Sequence, residues 1–140
     1  GTTFYFTIPF VENYEQICRY NALLVEDNQK SIDIIKESLL ERNINVLVAQ
    51  NEVDALVTFE DRNDIDIVFF SLKTYNNKQF VAMKQILQKN KSIPLIVFTA
   101  KAYDEEQNEV IELGAKEYIQ LPIRPYLIQQ IVDKYLPFEE

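Results

Sequence analysis

NALLVEDN, residues 21–28, is a short apolar run that ends on two acids and an amide. With no polar residue between Ala22 and Val25, it reads as a strand buried on both faces rather than a half-exposed one. Asn28 is a residue type that caps helices, and Ile32, Ile35 and Leu39 follow at helical spacing to about Arg42. Toward the C-terminus the same unit recurs. Ile44, Val46 and Val48 alternate as a strand, and residues 51–59 carry Ala55, Leu56 and Phe59 on one helix face. Residues 65–70 (IDIVFF) read as a second buried strand, followed by a polar stretch over 73–79. Val81, Ile86 and Leu87 mark a helix, and residues 94–99 (PLIVFT) mark a strand. Residues 104–113 form a helix closed by Gly114, the residue type favoured at a left-handed helix end. A short strand at 117–120 precedes a helix at 125–136, with Leu127, Ile128, Ile131 and Leu136 as its apolar stripe. Five strand–helix pairs of this kind give an α/β fold, a doubly wound five-stranded parallel sheet covered on both faces. Ligands of such sheets sit beyond the carboxyl ends of the strands.

Composition narrows what that fold can do here. The 140 residues suit one domain with a real core, and the 47% apolar and 26% charged shares are ordinary for a globular protein. A net charge of -8 argues against direct contact with nucleic acid, which requires a basic face to displace counterions. No apolar run reaches the roughly 20 residues of a membrane span, so no membrane contact is expected of these residues. Cys18 is the only cysteine, which rules out a disulfide framework and fits a reducing, cytoplasmic setting. The absence of histidine excludes a Ser-His-Asp triad, a His-ligated zinc site and a histidine phosphodonor. With only Gly1 and Gly114, neither a P-loop nor a GxGxxG turn can form.

The strand ends hold the candidate site. A parallel sheet brings together Glu26 and Asp27 after the first strand, Ser71 after the third, Thr99 after the fourth and Leu121 after the fifth. An acidic pair at a strand end also serves the positive end of the helix that follows, so the pair alone does not identify a site. The set as a whole resembles the receiver domains of two-component signalling, over residues 21 to about 136. Val25-Glu26-Asp27-Asn28, Thr99-Ala100-Lys101-Ala102 and Gly114-Ala115-Lys116-Glu117-Tyr118, leading to Pro122, carry the likeness.

The resemblance implies a flavodoxin-like (βα)5 receiver fold. It also implies roles: Glu26 and Asp27 as the acidic pair that holds Mg²⁺, Thr99 as the hydroxyl that bonds the phosphoryl group, and Tyr118 as the aromatic switch residue. The chain departs from the family pattern at two decisive points. Ser71 stands at the phosphoacceptor position and Leu121 at the position of the lysine that pairs with the phosphoryl group. A serine hydroxyl is far less acidic than a carboxyl group and needs a base to activate it. Without an acidic acceptor, a lysine would be left unpaired among partly buried groups, so an apolar replacement is coherent.

The expectation is therefore a degenerate receiver, a pseudo-receiver in a phosphorelay that regulates by protein contact instead of accepting phosphate, and not an enzyme in itself. Mg²⁺ is expected to bind weakly or not at all, with Lys73 the nearest basic side chain in sequence that can neutralise Glu26 and Asp27. The family habit at this loop also implies a cis Leu121-Pro122 peptide.

Residues 1–20 fall outside the alternating rhythm. Residues 2–8 (TTFYFTI) read as a β-branched and aromatic strand stopped by Pro9, and residues 12–20 as a connector. Residues 1–10 resemble the last strand of a histidine-kinase ATP-binding domain. A leftover strand, a connector and a receiver domain over 21–140 follow the order of a hybrid sensor histidine kinase, and an opening Gly1 fits a fragment of such a chain. Its partners would be kinase domains of the same polypeptide or another signalling protein. They would be met on the fourth-helix, fifth-strand and fifth-helix face, with Tyr103, Tyr118 and Tyr126 as candidate contacts. Two alternatives stay open at this point: phosphorylation at Glu26 or Asp27 instead, and a small-molecule or flavin binder on the same topology.

Overall fold

The structure, a computed structural model, describes residues 19–73 and 77–137. Five strands and five helices alternate: β1 (Tyr20–Val25), α1 (Gln29–Leu40), β2 (Ile44–Ala49), α2 (Glu52–Asp61), β3 (Ile67–Leu72), α3 (Asn77–Lys89), β4 (Leu95–Thr99), α4 (Asp104–Leu113), β5 (Glu117–Gln120) and α5 (Pro125–Tyr135). The strands form one parallel sheet in the order β2-β1-β3-β4-β5. This is the doubly wound, flavodoxin-like arrangement that the alternation predicts.

Each sheet face has its own apolar layer, and alternation along β3 shows why. Ile67 and Phe69 join Ile32, Ile35 and Leu39 of α1 and Ile128, Ile131 and Val132 of α5. Val68, Phe70 and Leu72 join Ala55 and Phe59 of α2, Met83, Ile86 and Leu87 of α3, and Val110 of α4. Helix starts follow local chemistry. The side chains of Asn28 and Asn51 accept from the backbone N–H of Ser31 (3.0 Å) and Asp54 (2.9 Å), satisfying donors that a first helical turn leaves open. At the end of α4, Gly114 has φ 127°, and the Ala115 N–H reaches back to the carbonyl of Val110 at 2.9 Å.

Four sequence expectations need correction. The third strand runs over Ile67–Leu72 instead of 65–70, because β4 offers ladder partners as far as Leu72↔Thr99 while Asp66 turns its carboxylate to the Asn21 N–H at 2.8 Å. Ser71 therefore lies inside the strand, paired with Phe98. Val81 lies on the solvent face of α3, since the helical period turns Ala82, Met83, Ile86 and Leu87 inward. Tyr20 opens β1 and is not part of a connector. Residues 77–79, read as part of a polar stretch, form the first turn of α3. The strand read at residues 2–8 lies outside the described residues.

Gly114 gives a direct test of the α4 terminus. A Cβ added there would come within 3.0 Å of Leu87 Cδ1, at a backbone angle that other residues rarely adopt. Gly114→Ala is expected to cost about 1–3 kcal/mol, read as a lower urea midpoint with an unchanged slope.

Candidate functional site

The site begins where β1 runs out. The Glu26 N–H still pairs with the Ala49 carbonyl at 2.9 Å, so the backbone is held by β2 one residue past the strand. That placement carries the Glu26 side chain inward, where it is wholly buried, whereas the Asp27 side chain is 62% exposed. Glu26 Oε2 accepts from the N–H groups of Asp27 (2.8 Å) and Asn28 (3.0 Å) at the start of α1. The Lys73 ammonium, entering from the end of β3, bonds the same oxygen and lies 3.4 Å from Asp27 Oδ1. Burial works against a charged lysine, but the hydrogen bond and charge of Glu26, reinforced by Asp27, outweigh it and hold Lys73 above its ordinary range. The two acids that the sequence presents as a pair thus differ in kind. One is a buried carboxylate with three donors on a single oxygen, and the other is a surface charge.

Ser71 lies against this group. It is 3% exposed, and among the described residues its Oγ has no hydrogen-bond partner; the same is true of Glu26 Oε1. Both residues line a cleft of about 130 Å³ with Asp27, Gln50, Asn51, Glu52, Lys73 and Gln79. The Gln79 amide donates to the Ser71 carbonyl at 3.3 Å, which ties the first turn of α3 to the end of β3. Among the described residues no base contacts the Ser71 hydroxyl to raise its nucleophilicity.

The remaining predicted residues sit one strand further across the sheet. Thr99 ends β4 and is buried; its Oγ1 donates to the Lys101 carbonyl at 3.3 Å and accepts from the Lys101 N–H at 3.4 Å. The Leu121 N–H donates to the Thr99 carbonyl at 2.8 Å, which links the two switch positions through the backbone. The Leu121 side chain does not line the acidic cleft. With Ile34, Ile35, Ala100, Pro122 and Ile123 it lines a separate apolar cleft beside α1. The Leu121-Pro122 peptide is cis, as expected.

Tyr118 is half-buried on β5, and its hydroxyl donates to the buried Glu106 at 2.5 Å while accepting from the Tyr103 N–H at 3.2 Å. Burial, reinforced by the Glu106 hydrogen bond, pushes this phenol up to about 12.

Two participants escaped the sequence reading. Gln79 falls in the polar stretch over 73–79, and Glu106 is not singled out by the sequence reading, although it lies four residues before the core residue Val110 and so on the inward stripe. An acid at a core position of the helical period was the signal available.

The family model for the response regulator receiver domain matches residues 22–133. The chain belongs to that family. Among relatives of this receiver domain, a probable transcriptional regulator ycf29 of Pyropia yezoensis is 26% identical over 84% of this chain and 53% of its own length. A hybrid signal transduction histidine kinase I of Dictyostelium discoideum is 21% identical over 84% of this chain but only 7% of its own length. The chain thus spans about half the length, or far less, of these two relatives. Among solved structures, the non-phosphorylated HemR receiver domain of Leptospira biflexa has a TM-score of 0.72 and 26% identity, covering 87% of this chain and 98% of that one.

The Tyr118–Glu106 contact is open to spectroscopic titration. Phenolate absorbance of the receiver domain minus that of Tyr118→Phe should isolate one group with a midpoint near 12. The unfolded chain loses this proton first, near 10.0, so the contact stabilises fully below that pH and progressively less as pH rises through about 12. A difference titration centred on 10.0 would show that the Glu106 contact does not persist in solution.

Proposed function

We propose that this receiver domain has lost aspartyl phosphorylation and regulates by protein contact inside a two-component system. One observation carries the reading: a buried, unactivated serine, Ser71, stands at the end of β3 where the family keeps its acidic acceptor. The neighbouring carboxylates offer no obvious substitute. Glu26 is enclosed and bound by Lys73, which lowers its value as a nucleophile, and Asp27 points to solvent beside the same ammonium. Leu121 belongs to an apolar cleft and supplies no cation for a phosphoryl group.

The contact face in this reading is α4, β5 and α5. Tyr103 and Tyr126 are more than half exposed there, and Tyr118 sits half-buried on β5, bonded to Glu106 of α4. The parent, in our reading, is a hybrid sensor histidine kinase, whose kinase domains or a separate signalling protein are the partner. The kinase-like strand read at residues 2–8 and the match to the Dictyostelium hybrid kinase support that context. The decisive experiment is intact-mass measurement after treatment with acetyl phosphate and Mg²⁺. The chain is expected to stay unmodified; a phosphoryl adduct on any carboxylate would sink the proposal.

A repair experiment follows from the two lost positions. Ser71→Asp restores a carboxylate nucleophile, and Ser71→Asp with Leu121→Lys also restores the pairing cation. A charge-assisted hydrogen bond of that kind contributes about 1.5–3 kcal/mol, the size of a typical coupling energy of about 1–3 kcal/mol. With beryllofluoride and Mg²⁺, amide shifts at Thr99 and Tyr118 should be small in the single variant and larger in the double. Equal responses would mean that Leu121 is not a second lesion.

A further inference from the structure

The receiver family's acidic pair implies a divalent cation, and the residues present here do not fit one. We propose that the Lys73 ammonium takes the cation's place as a tethered counter-charge, so that this receiver holds its acidic cleft together without metal. The inference deepens the reading of the domain as refractory to phosphate, and it stands on separate contacts.

Three observations converge on it. The first is occupancy: Lys73 Nζ bonds Glu26 Oε2 and approaches Asp27 Oδ1, using both side chains that would otherwise ligate a metal. The second is charge. Ser71 adds no carboxylate to the Glu26–Asp27 pair, Lys73 leaves that group at a net charge of -1 with Glu52 at the cleft wall, and a divalent ion placed against the ammonium would meet repulsion. Among the described residues no group of three His, Cys, Asp or Glu side chains is arranged to hold a metal. The third is the state of the oxygens: Glu26 Oε2 already accepts three donors and Asp27 is mostly exposed, whereas Mg²⁺ gives up its waters reluctantly and depends on charged oxygens.

Tethering decides the competition. A group attached through a short flexible linker acts at an effective concentration on the order of millimolar, so free Mg²⁺ has to displace a counter-charge that is always at hand. Lys73 lies two residues beyond Ser71 and just past the end of β3, so its ammonium cannot diffuse away from the cleft. Its removal would expose Glu26 Oε2 beside two further oxygens, Glu26 Oε1 and Ser71 Oγ, that lack partners among the described residues. Among the described residues, Lys73 is thus the cation that covers this remnant.

The test uses Mn²⁺ as a paramagnetic probe on the 140-residue chain, with thermal melting in MgCl₂ alongside. Wild type and Lys73→Arg should show no site-specific broadening at the Asp27 and Asn28 amides and no Mg²⁺-dependent rise in melting midpoint. Lys73→Ala should melt lower without metal and regain part of the loss with Mg²⁺. Its apparent Mn²⁺ affinity should be tighter by about tenfold or more, the scale on which groups around a metal site change its affinity. Lys73→Ala with Glu26→Gln should lose that gain. Broadening of wild type at Asp27 and Asn28 overturns the proposal, and this holds even if Lys73→Ala fails to fold. A folded Lys73→Ala that gains no cation affinity overturns it as well. Metal binding by a wild type that still takes no phosphoryl group would end this inference alone, whereas a phosphoryl adduct would end the functional reading.

Discussion

β3 is buried along all six residues, paired with β1 on one edge and β4 on the other and covered by helices on both faces. A strand in that position has no solvent-facing side, so its residues must be apolar or must place any polar group at the end. Phe69 and Phe70, adjacent in sequence, feed opposite layers of the core, and each layer is closed by a different set of helices. Burying a side chain of this size contributes roughly 1.5–3 kcal/mol, so this one strand anchors both layers. The same constraint sets the site. Ser71 and Lys73 are where the apolar run gives way to polar residues, and both meet the residues at the end of β1 because those two strands are neighbours in the sheet.

At that junction a wholly buried carboxylate has to be accommodated. An isolated buried charge is too costly to persist, and Glu26 is retained because one oxygen collects two backbone N–H groups and an ammonium. The arrangement ties down the β1–α1 loop ahead of the Asn28 cap and joins that loop to the end of β3.

Across the sheet, a second polar contact holds the opposite half of the switch region. Tyr118 is tied to Glu106 and to the Tyr103 backbone, so β5 is fastened to the start of α4. Thr99 is occupied with Lys101, and its carbonyl bonds Leu121. Thr99 and Tyr118 are thus both held by local partners.

The apolar and helical periodicities of residues 21–136 determined the element order, the parallel sheet and most strand and helix spans, because burial on both faces dictates an unbroken apolar run and a covered helix dictates a stripe. The meeting of Glu26, Asp27 and Ser71 was also legible, since β1 and β3 are neighbours whose ends converge, whereas Leu121 and Tyr118 have other surroundings. Tertiary structure alone decided the rest. Periodicity cannot say which of two adjacent acids turns inward; that follows from Glu26 pairing with Ala49 one residue past β1. It cannot say that Leu121 belongs to the α1 cleft while Ser71 belongs to the acidic one, since each cleft is formed by elements far apart in sequence. Lys73 was legible as the basic side chain that could neutralise the pair, but its choice of Glu26 Oε2 over Asp27 follows only after the sheet has brought β1 and β3 together.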